Sequence, residues 1–240
     1  MAVETQADLK IKIFADGANL QAMKELAAKP HIQGLTTNPT LMRQSGISNY
    51  EEFAKGVLAS ISAKPISFEV FADTPKEMIR QAKLISGWAE NVYVKIPIST
   101  TKGESCADVI RELSASGVKL NVTALMTAAQ TVEVYSNLEA SVPAVVSVFA
   151  GRIADTGRDP MPIMRECGDI LSGLPLAELL WASPRELLNI VQADEIGCDI
   201  ITVTPDLLKK LEFIGKDLTQ FSVETVQMFF RDAEEAGFNL

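Results

Sequence analysis

Eight short runs of β-branched and other apolar residues recur along the chain, and each is followed by a segment with the apolar spacing of a helix. Successive runs begin about 20 to 35 residues apart, the spacing that strand–helix repeats require. The α/β fold that accommodates eight such repeats most economically is a closed (β/α)8 TIM barrel, and a doubly wound open sheet is the alternative. The predicted strands are 11–15, 33–36, 66–71, 92–96, 119–122, 144–149, 179–182 and 199–203, and the predicted helices are 20–27, 50–62, 75–88, 104–116, 128–138, 159–171, 184–196 and 205–211.

The length and charge of the chain limit its organisation and its partners. It has 240 residues, near the roughly 250 of a single barrel, so we expect one domain over residues 1–240. The formal net charge of −9 disfavours binding to nucleic acid or to an anionic membrane surface. Residues 1–10 are polar, unlike a signal peptide, and no apolar run reaches the roughly 18 residues of a membrane span. We therefore expect a cytoplasmic protein.

The single histidine, His31, restricts the chemistry that the chain could perform. Serine and cysteine nucleophiles commonly depend on an imidazole base, and a histidine-based metal site needs several imidazoles. The three cysteines, Cys106, Cys167 and Cys198, have no paired spacing. We expect no metal and no cofactor, and any enzyme chemistry should use lysine, carboxylates and hydroxyl groups.

Lys95 lies in the middle of an apolar run, residues 92–98, that is predicted to be a strand buried on both sides. Lysine is rarely buried without a reason, because burial disfavours the ammonium form. The neutral amine can attack a carbonyl and form an imine. The alternative is a structural lysine near a strand end, with its stem covered and its ammonium group in water.

Polar residues also follow the ends of other predicted strands, where (β/α)8 barrels bind their ligands. Each has a simpler explanation alone: Asp16 could cap the next helix, and Thr36 and Asn38 could be turn residues. If each of these residues had an independent packing role, so many polar and charged side chains would not be expected at one end of a barrel. A neutral lysine, carboxylates that transfer protons and two arginines for an anion together predict a Schiff-base aldolase acting on a phosphorylated sugar. The candidates are Asp16, Thr36, Asn38, Glu69, Lys95, Asn121, Thr123, Ser147, Arg152, Ser183 and Arg185.

The motifs around these residues resemble those of the transaldolase family, including its short-chain branch and the related fructose-6-phosphate aldolases. The similarity runs from Phe14 to Leu208. It implies a (β/α)8 barrel with a Schiff-base lysine on the fourth strand, which is where the strand count independently places Lys95. The motifs are FADGAN, GLTTNPTL, SFEVFAD, VYVKIP, LNVTALMTAAQ, SVFAGRIADTGRDP, WASPRE and CDIITVTPDLL.

The resemblance also implies a role for each candidate. Lys95 would form the imine with a ketose, and Asp16 would take the proton from the C4 hydroxyl. Glu69, with Thr123 beside it, would hold the water that transfers protons. The implied partners are sugar phosphates, with fructose 6-phosphate or sedoheptulose 7-phosphate as donor and erythrose 4-phosphate or glyceraldehyde 3-phosphate as acceptor. Residues implied to contact the dihydroxyacetone unit are Thr36, Asn38, Asn121, Ser147 and Phe149, and those implied to bind phosphate are Arg152, Ser183 and Arg185.

Three positions bear on the branch of the family. Aldolases that release free dihydroxyacetone tend to have glutamine at the position of Glu69 and tyrosine at that of Phe149, so the chain resembles the transaldolases at both. Phenylalanine cannot donate a proton to release the enamine, which favours transfer over net cleavage. Pro184 stands where phenylalanine is more usual in the family, so the bound anion could instead be a sulfonate or a nucleotide-linked sugar.

A further helix is predicted over residues 222–236, with Ser222 as its N-cap and Gly237 at its end. Short members of the family tend to form ring-shaped assemblies in which this helix contacts a neighbour. The resemblance therefore implies a homo-oligomer, although the helix could also pack on its own barrel. Its apolar face is predicted to consist of Val226, Phe229, Phe230 and Ala233.

Overall fold

The computed structural model describes residues 3–238 and contains a closed barrel of eight parallel strands in sequence order, in which β8 pairs with β1. The predicted (β/α)8 fold is therefore confirmed, and the open-sheet alternative is wrong. All eight predicted strands are present, with ends that differ from the predictions by a few residues. The strands are Lys12–Asp16 (β1), Ile32–Thr36 (β2), Ile66–Glu69 (β3), Val92–Pro97 (β4), Leu120–Leu125 (β5), Ala144–Val148 (β6), Ala177–Trp181 (β7) and Ile200–Val203 (β8).

Helices follow the strands and cover the outside of the barrel. They are Leu20–Ala27 (α1), Pro39–Gln44 (α2), Tyr50–Ser60 (α3), Pro75–Ser86 (α4), Ala107–Ala115 (α5), Ala128–Tyr135 (α6), Ala150–Ala154 (α7), Met161–Leu171 (α8), Leu188–Glu195 (α9), Pro205–Leu208 (α10) and Leu218–Glu235 (α11), with short 3-10 turns at Gln6–Asp8 and Lys209–Phe213. The short helices α2 and α7 lie in segments for which no helix is predicted. They begin soon after β2 and β6, so their first turns lie at the carboxyl end of the barrel.

Two separate apolar layers stabilise the barrel. The larger one lies between the strands and the helices, and the smaller one fills the inside of the barrel with Phe14, Val145, Leu180, Ala182 and Ile200. Gly34 makes room for the ring of Phe14, because a Cβ at Gly34 would lie only 2.4 Å from that ring. The inside of the barrel is therefore packed at this level, and its polar residues lie nearer the carboxyl ends of the strands.

The last helix, α11, lies on the surface with none of its residues buried. It begins earlier than predicted: Ser222 is not the N-cap, because the side chain of Asp217 accepts from the backbone N–H of Gln220 at 2.8 Å. Gly237, with φ of +67°, follows the helix as predicted. The predicted face is exposed in the single chain, with Val226, Phe229 and Phe230 each more than 60% accessible.

Within residues 3–238, no helix is both long enough and apolar enough to cross a membrane.

Candidate active site

Polar side chains line the carboxyl end of the barrel. The parallel register places Glu69 of β3 beside Lys95 of β4, and Lys95 beside Asn121 of β5. Residues paired in register project from the same side of a sheet, so these three side chains converge inside the barrel. Asp16 of β1 is likewise in register with Thr36 of β2. We call Asp16, Glu69 and Lys95 the carboxylate–lysine cluster.

Lys95 is half-buried on the inward side of β4. Its strand neighbours Val94 and Ile96 are fully buried on the helix side, whereas the residues on the inward side are only partly buried. The prediction of a strand buried on both sides is therefore wrong. Nζ of Lys95 donates to the backbone carbonyl of Thr37 at 2.5 Å. None of the ion pairs formed within residues 3–238 involves Lys95, so the lysine has no structural salt-bridge role there.

Asp16 is held by two hydrogen bonds from the end of β2. Thr36 Oγ1 donates to Oδ1, and Asn38 Nδ2 donates to Oδ2, both at 2.9 Å. Asp16 does not cap α1, because the N-cap is Asn19, whose side chain accepts from the N–H of Ala22. Burial raises the pKa of the Asp16 carboxyl, while the charge of Lys95 and the two hydrogen bonds act in the opposite direction. A carboxylate with a raised pKa is a stronger base.

Glu69 is only 6% exposed, and its surroundings differ from those of Asp16. The hydroxyl of Thr37 lies 2.8 Å from Oε2, whereas Oε1 has no hydrogen-bond partner in the part of the chain that the structure describes. Burial raises the pKa of the Glu69 carboxyl, opposed by the charge of Lys95. Oε1 is thus a buried carboxyl oxygen whose hydrogen-bonding capacity is unused within residues 3–238.

Tyr50 of α3 fixes the backbone of Glu69 from outside the barrel. Its hydroxyl accepts from the Glu69 N–H at 2.8 Å and donates to the Glu69 carbonyl at 3.1 Å. Strand β2 pairs with β3 only as far as Ser67, so Glu69 has no hydrogen-bond partner on β2. The hydroxyl of Tyr50 takes the place of that partner. Burial raises the pKa of Tyr50, which keeps the hydroxyl neutral.

Asn38 binds two neighbours through the two ends of its amide group. Its Oδ1 accepts from the N–H of Leu41 at 2.9 Å and caps α2, while its Nδ2 binds Asp16. The cap fixes the side chain, so the amide group is held in place beside the carboxylate.

A hydrogen-bonded row crosses β3, β5 and β6. Asn121 Nδ2 donates to Ser67 Oγ at 2.9 Å, and Ser147 Oγ donates to Asn121 Oδ1 at 2.7 Å. All three residues are buried. The row fixes the orientation of the Asn121 amide, as a residue that positions a polar ligand requires.

Thr123 and Phe149 make no hydrogen bond to the carboxylate–lysine cluster within residues 3–238. Thr123 is partly buried on β5, and its backbone carbonyl accepts from Ile98 at 3.0 Å. Within residues 3–238, the Thr123 side chain is not part of the hydrogen-bond network described above. Phe149 packs against the apolar layer inside the barrel, and the guanidinium of Arg152 lies 5.7 Å from its ring centre.

Arg152, Ser183 and Arg185, which we call the arginine rim, follow β6 and β7. Arg185 binds Asp155 through both arms of its guanidinium, with Nε 2.8 Å from Oδ1, and its Nη1 donates to Ser183 Oγ at 3.0 Å. The arginine pair predicted to bind an anion is exposed, and one of its members is bound to a carboxylate of the same chain. Asp155 was not predicted.

Gly151 brings the two halves of the arginine rim together. A Cβ at this position would lie 1.5 Å from the carbonyl oxygen of Ser183, so only glycine permits the approach of α7 to the β7–α9 loop. Ser183 itself has φ of +64°, a conformation that non-glycine residues rarely adopt. Residues 184–187 precede α9 as a loop, and so Pro184 is not in its first turn.

Four residues that are not among the predicted candidates hold the candidate residues in place: Thr37, Tyr50, Ser67 and Asp155. Ser67 precedes Glu69 by two positions on β3, so the alternation of a strand could have identified it as inward-facing. Thr37 adjoins two candidates in the same motif. Tyr50 has no such signal, because its contact with β3 depends on the packing of α3. The chemical roles of the candidate residues stay predictions.

The sequence of the chain is similar to that of known proteins over most of its length. The family model described as Transaldolase/Fructose-6-phosphate aldolase matches residues 13–240. A protein from Methanococcus vannielii named "Probable transaldolase" is 34% identical over 216 residues, which cover 89% of this chain and 94% of that protein. A protein of the same name from Dehalococcoides mccartyi is also 34% identical, over 84% of this chain and 90% of its own length.

Solved structures that resemble the chain share its fold at low sequence identity. Dihydrodipicolinate synthase from Rhodopseudomonas palustris superposes with a TM-score of 0.60 at 14% identity, covering 97% of this chain and 82% of that one. The native KDPGal structure gives a TM-score of 0.56 at 12% identity, covering 95% of this chain and all of that chain. At such identities the likeness supports the barrel and nothing finer.

Proposed function

The chain belongs to the transaldolase/fructose-6-phosphate aldolase family, and we propose that it is a transaldolase that moves a dihydroxyacetone unit through a Schiff base on Lys95. The observation that supports this most is the carboxylate–lysine cluster. Within residues 3–238 the amine of Lys95 on β4 forms no ion pair, and its charge acts on the carboxyl of Asp16 on β1 and on that of Glu69 on β3. Imine chemistry needs a nucleophilic amine and groups that give and take protons beside it.

The first half-reaction is cleavage of the donor. Nζ of Lys95 adds to the C2 carbonyl of a ketose phosphate such as fructose 6-phosphate, and loss of water gives the imine. Asp16 takes the proton of the C4 hydroxyl, the C3–C4 bond breaks, and its electron pair moves into the imine to form an enamine. Glyceraldehyde 3-phosphate leaves, and the dihydroxyacetone unit stays on Lys95.

The second half-reaction reverses these steps with another aldose. The enamine carbon attacks the aldehyde of erythrose 4-phosphate, Asp16 returns its proton to the new hydroxyl, and hydrolysis of the imine releases sedoheptulose 7-phosphate. Glu69, with Thr123, transfers the protons for loss and addition of water. The amides of Asn38 and Asn121 and the hydroxyls of Thr36 and Ser147 bind the sugar hydroxyls.

The environment of the enamine favours transfer over release. The ring of Phe149 packs on the apolar layer inside the barrel and lies 5.7 Å from the guanidinium of Arg152, and a phenyl ring cannot protonate an enamine. The intermediate therefore waits for an aldehyde. Arg152, Ser183 and Arg185 bind the phosphate of each sugar in turn, since guanidinium groups match phosphate oxygens.

The test is borohydride reduction in the presence of fructose 6-phosphate. We expect a dihydroxyacetone adduct on Lys95 and none in Lys95→Ala. Lys119→Ala is the matched control, because Lys119 precedes β5 at the opposite end of the barrel, where its Nζ binds the carbonyl of Glu90. No adduct, or an adduct that survives in Lys95→Ala, would overturn the Schiff-base assignment.

Two related activities are tested separately: an aldolase is distinguished by its products, and a transaldolase for another anionic ketose by its substrates. An aldolase would release free dihydroxyacetone from fructose 6-phosphate without an acceptor, whereas a transaldolase stops after one turnover. The bond between Arg185 and Asp155 favours testing other anions, because it occupies part of the arginine that phosphate would use. A panel of phosphorylated and sulfonated ketoses, ranked by kcat/KM, identifies the donor.

We also propose a cytoplasmic homo-oligomer that serves the pentose phosphate pathway. The exposed apolar face of α11 supports an interface with a second copy, since faces of this size are rarely left in water. Sedimentation of a chain that ends before Leu218 should give a smaller assembly than the full chain. An unchanged assembly would overturn the interface.

A further inference from the structure

Thr37 contacts both the Glu69 carboxyl on β3 and the Lys95 amine on β4, and it has no role in the proposed reaction. It follows the last residue of β2 and is fully buried. Its backbone N–H donates to the carbonyl of Ser67 at 3.3 Å, and its own carbonyl accepts from Nζ of Lys95. Thr37 thus contacts the amine directly, and its side chain faces Glu69.

The hydroxyl of Thr37 lies close to two oxygens at once. Oγ1 is 2.9 Å from the carbonyl oxygen of Ser67 and 2.8 Å from Oε2 of Glu69. A hydroxyl has one hydrogen to donate, and a backbone carbonyl can only accept. If that hydrogen goes to Ser67, the short contact with Oε2 needs a hydrogen that Glu69 supplies.

The opposite assignment leaves one contact without a hydrogen. If Thr37 donates to an ionised Glu69, its oxygen faces the Ser67 carbonyl at 2.9 Å with no hydrogen between them. Inside a protein such a pair of acceptors is unfavourable. Only a protonated Glu69 provides a hydrogen for each of the two contacts.

The groups that surround Glu69 come from three elements. Lys95 of β4 favours the carboxylate, Asp16 of β1 favours the neutral acid, and Tyr50 of α3 contributes a neutral hydroxyl to the Glu69 backbone. Lys95 forms no ion pair within residues 3–238, so no ammonium is in direct contact with the carboxyl. Burial of the side chain, the largest influence on its pKa, favours the neutral acid.

The backbone of Glu69 is held rigidly, so the carboxyl has little freedom to leave Thr37. The hydroxyl of Tyr50 binds both its N–H and its carbonyl, and the N–H of the next residue, Val70, donates to the carbonyl of Lys95 at 3.2 Å. The carboxyl is thereby held against Thr37 through Oε2, while the buried Oε1 has no hydrogen-bond partner within residues 3–238.

We propose that Thr37 is a positioning residue that holds Glu69 as a neutral acid, by accepting the carboxyl hydrogen from Oε2 while donating its own hydrogen to Ser67. Glu69 then begins the reaction as a proton donor. It gives a proton to the hydroxyl of the carbinolamine on Lys95, that hydroxyl leaves as water, and the carboxylate recovers the proton when water adds back. The catalytic meaning rests on the proposed function, but the protonation state does not.

The first measurement is made on the substrate-free, full-length protein. Infrared spectroscopy, with Glu69→Gln as the reference that removes the signal, should show a protonated carboxyl at pH 7. A carboxylate at pH 7 would overturn the proposal. This measurement needs no activity and no substitution at Thr37, so it decides the question even if variants of Thr37 fail to fold.

The second measurement is the titration of that carboxyl in variants. Thr37→Val removes the acceptor of the Glu69 hydrogen, so the titration midpoint should move down by about one pH unit, the equivalent of one neutral hydrogen bond. Thr37→Ser keeps the hydroxyl and should restore the midpoint. A midpoint that rises or stays unchanged in Thr37→Val would overturn the proposal, since it would mean that Thr37 donates to the carboxylate or does not influence it.

The control for losing a buried threonine hydroxyl is Thr131→Val. Thr131 is also fully buried, but its hydroxyl binds Cys167 between α6 and α8, away from the cluster. We expect no movement of the Glu69 midpoint in this variant. The pH at which imine formation on Lys95 is fastest should move down with the midpoint in Thr37→Val and not in Thr131→Val. If borohydride traps no adduct in any variant while the carboxyl titrates as expected, the proposed function fails and the inference about Thr37 stands.

Discussion

The carboxylate–lysine cluster and the arginine rim lie at the same end of the barrel but are built differently. Asp16, Glu69 and Lys95 lie on strands, are buried or half-buried, and bind neighbours at or just after the end of β2. Arg152 and Arg185 lie on a short helix and a loop and are exposed to solvent. The barrel thus fixes the groups that would do the chemistry, while connecting segments hold those that would select the substrate. This division predicts that substitutions in the two regions affect different kinetic constants.

The largest expected effect separates chemistry from binding at Asp16. Asp16→Asn should lower kcat by about 10² to 10⁴-fold with little change in KM, because it removes the proposed base for C–C cleavage and keeps the size of the side chain and one of its two acceptor oxygens. Below its pKa, Asp16 is protonated and cannot take a proton, so wild-type activity should rise with pH through that pKa. Since burial raises the pKa, the rise should lie above the range of an ordinary aspartate. Stopped-flow measurement of cleavage from low to neutral pH checks both statements.

If the fall in kcat of Asp16→Asn is accompanied by a large rise in KM, the separation of chemistry in the cluster from substrate binding at the rim is contradicted. Borohydride trapping on Lys95 serves as the control, since imine formation does not require cleavage and should persist in the variant.

Gly151→Ala should disrupt the arginine rim and leave the cluster intact. The added Cβ would collide with the Ser183 carbonyl, so α7 and the β7–α9 loop must move apart. Displacements of about 1 Å can cost about 100-fold in rate, and we expect a loss of that size in kcat/KM for phosphorylated donors. Trapping of unphosphorylated dihydroxyacetone on Lys95 should be unchanged.

The control for Gly151→Ala is Gly168→Ala in α8, where a Cβ meets only a side-chain methyl group of Leu179 at 3.7 Å. Equal losses in the two variants, measured by steady-state kinetics, would mean that the effect is a general one on stability.

Arg185→Lys tests whether the shape of the arginine matters beyond its charge. Lysine keeps the positive charge but cannot bind Asp155, Ser183 and a phosphate with a planar fork. We expect KM for a phosphorylated donor to rise about tenfold, with kcat nearly unchanged. Arg165→Lys, at an exposed ion pair on α8, should leave KM as it is. A fall in kcat alone would place Arg185 in the chemistry.

The smallest expected effect is a gain in thermal stability when Glu69 of the cluster is replaced by glutamine. Because burial raises the pKa of Glu69 in the folded state, its stabilising contribution is complete below the ordinary glutamate pKa and is lost as pH rises towards the raised value. Glutamine does not titrate, so Glu69→Gln should melt at a higher Tm than wild type at neutral pH and lose this advantage in acid. Thermal melting at several pH values checks this, and a lower Tm at neutral pH would contradict it.

Much of this organisation can be predicted from the sequence, for identifiable reasons. The strands can be predicted because short β-branched runs alternate with segments of helical spacing, and Lys95 is recognisable because a lysine interrupts such a run. Strand alternation then places Glu69 and Lys95 on the inward side. The contacts of Tyr50 and Asp155 could not be predicted, because they join elements whose relative position depends on the packing of whole helices.

The start of α11 shows a second limit. Ser222 and Asp217 are both good N-cap residues, and the apolar spacing after Ser222 is the more regular signal. The helix nevertheless begins at Leu218, where Lys216 lies between the rings of Phe213 and Phe221 and binds Glu224. Those contacts add a first turn that the apolar pattern does not indicate.

The packed interior around Phe14 has a consequence for the order of events. Because that ring and its neighbours fill the barrel below the polar residues, the site opens at one end only. For the proposed transfer, donor and acceptor must use the same entrance, and the first aldose must depart before the second arrives. The kinetics should therefore be of the double-displacement type, with parallel lines in double-reciprocal plots and inhibition by excess acceptor competing with donor.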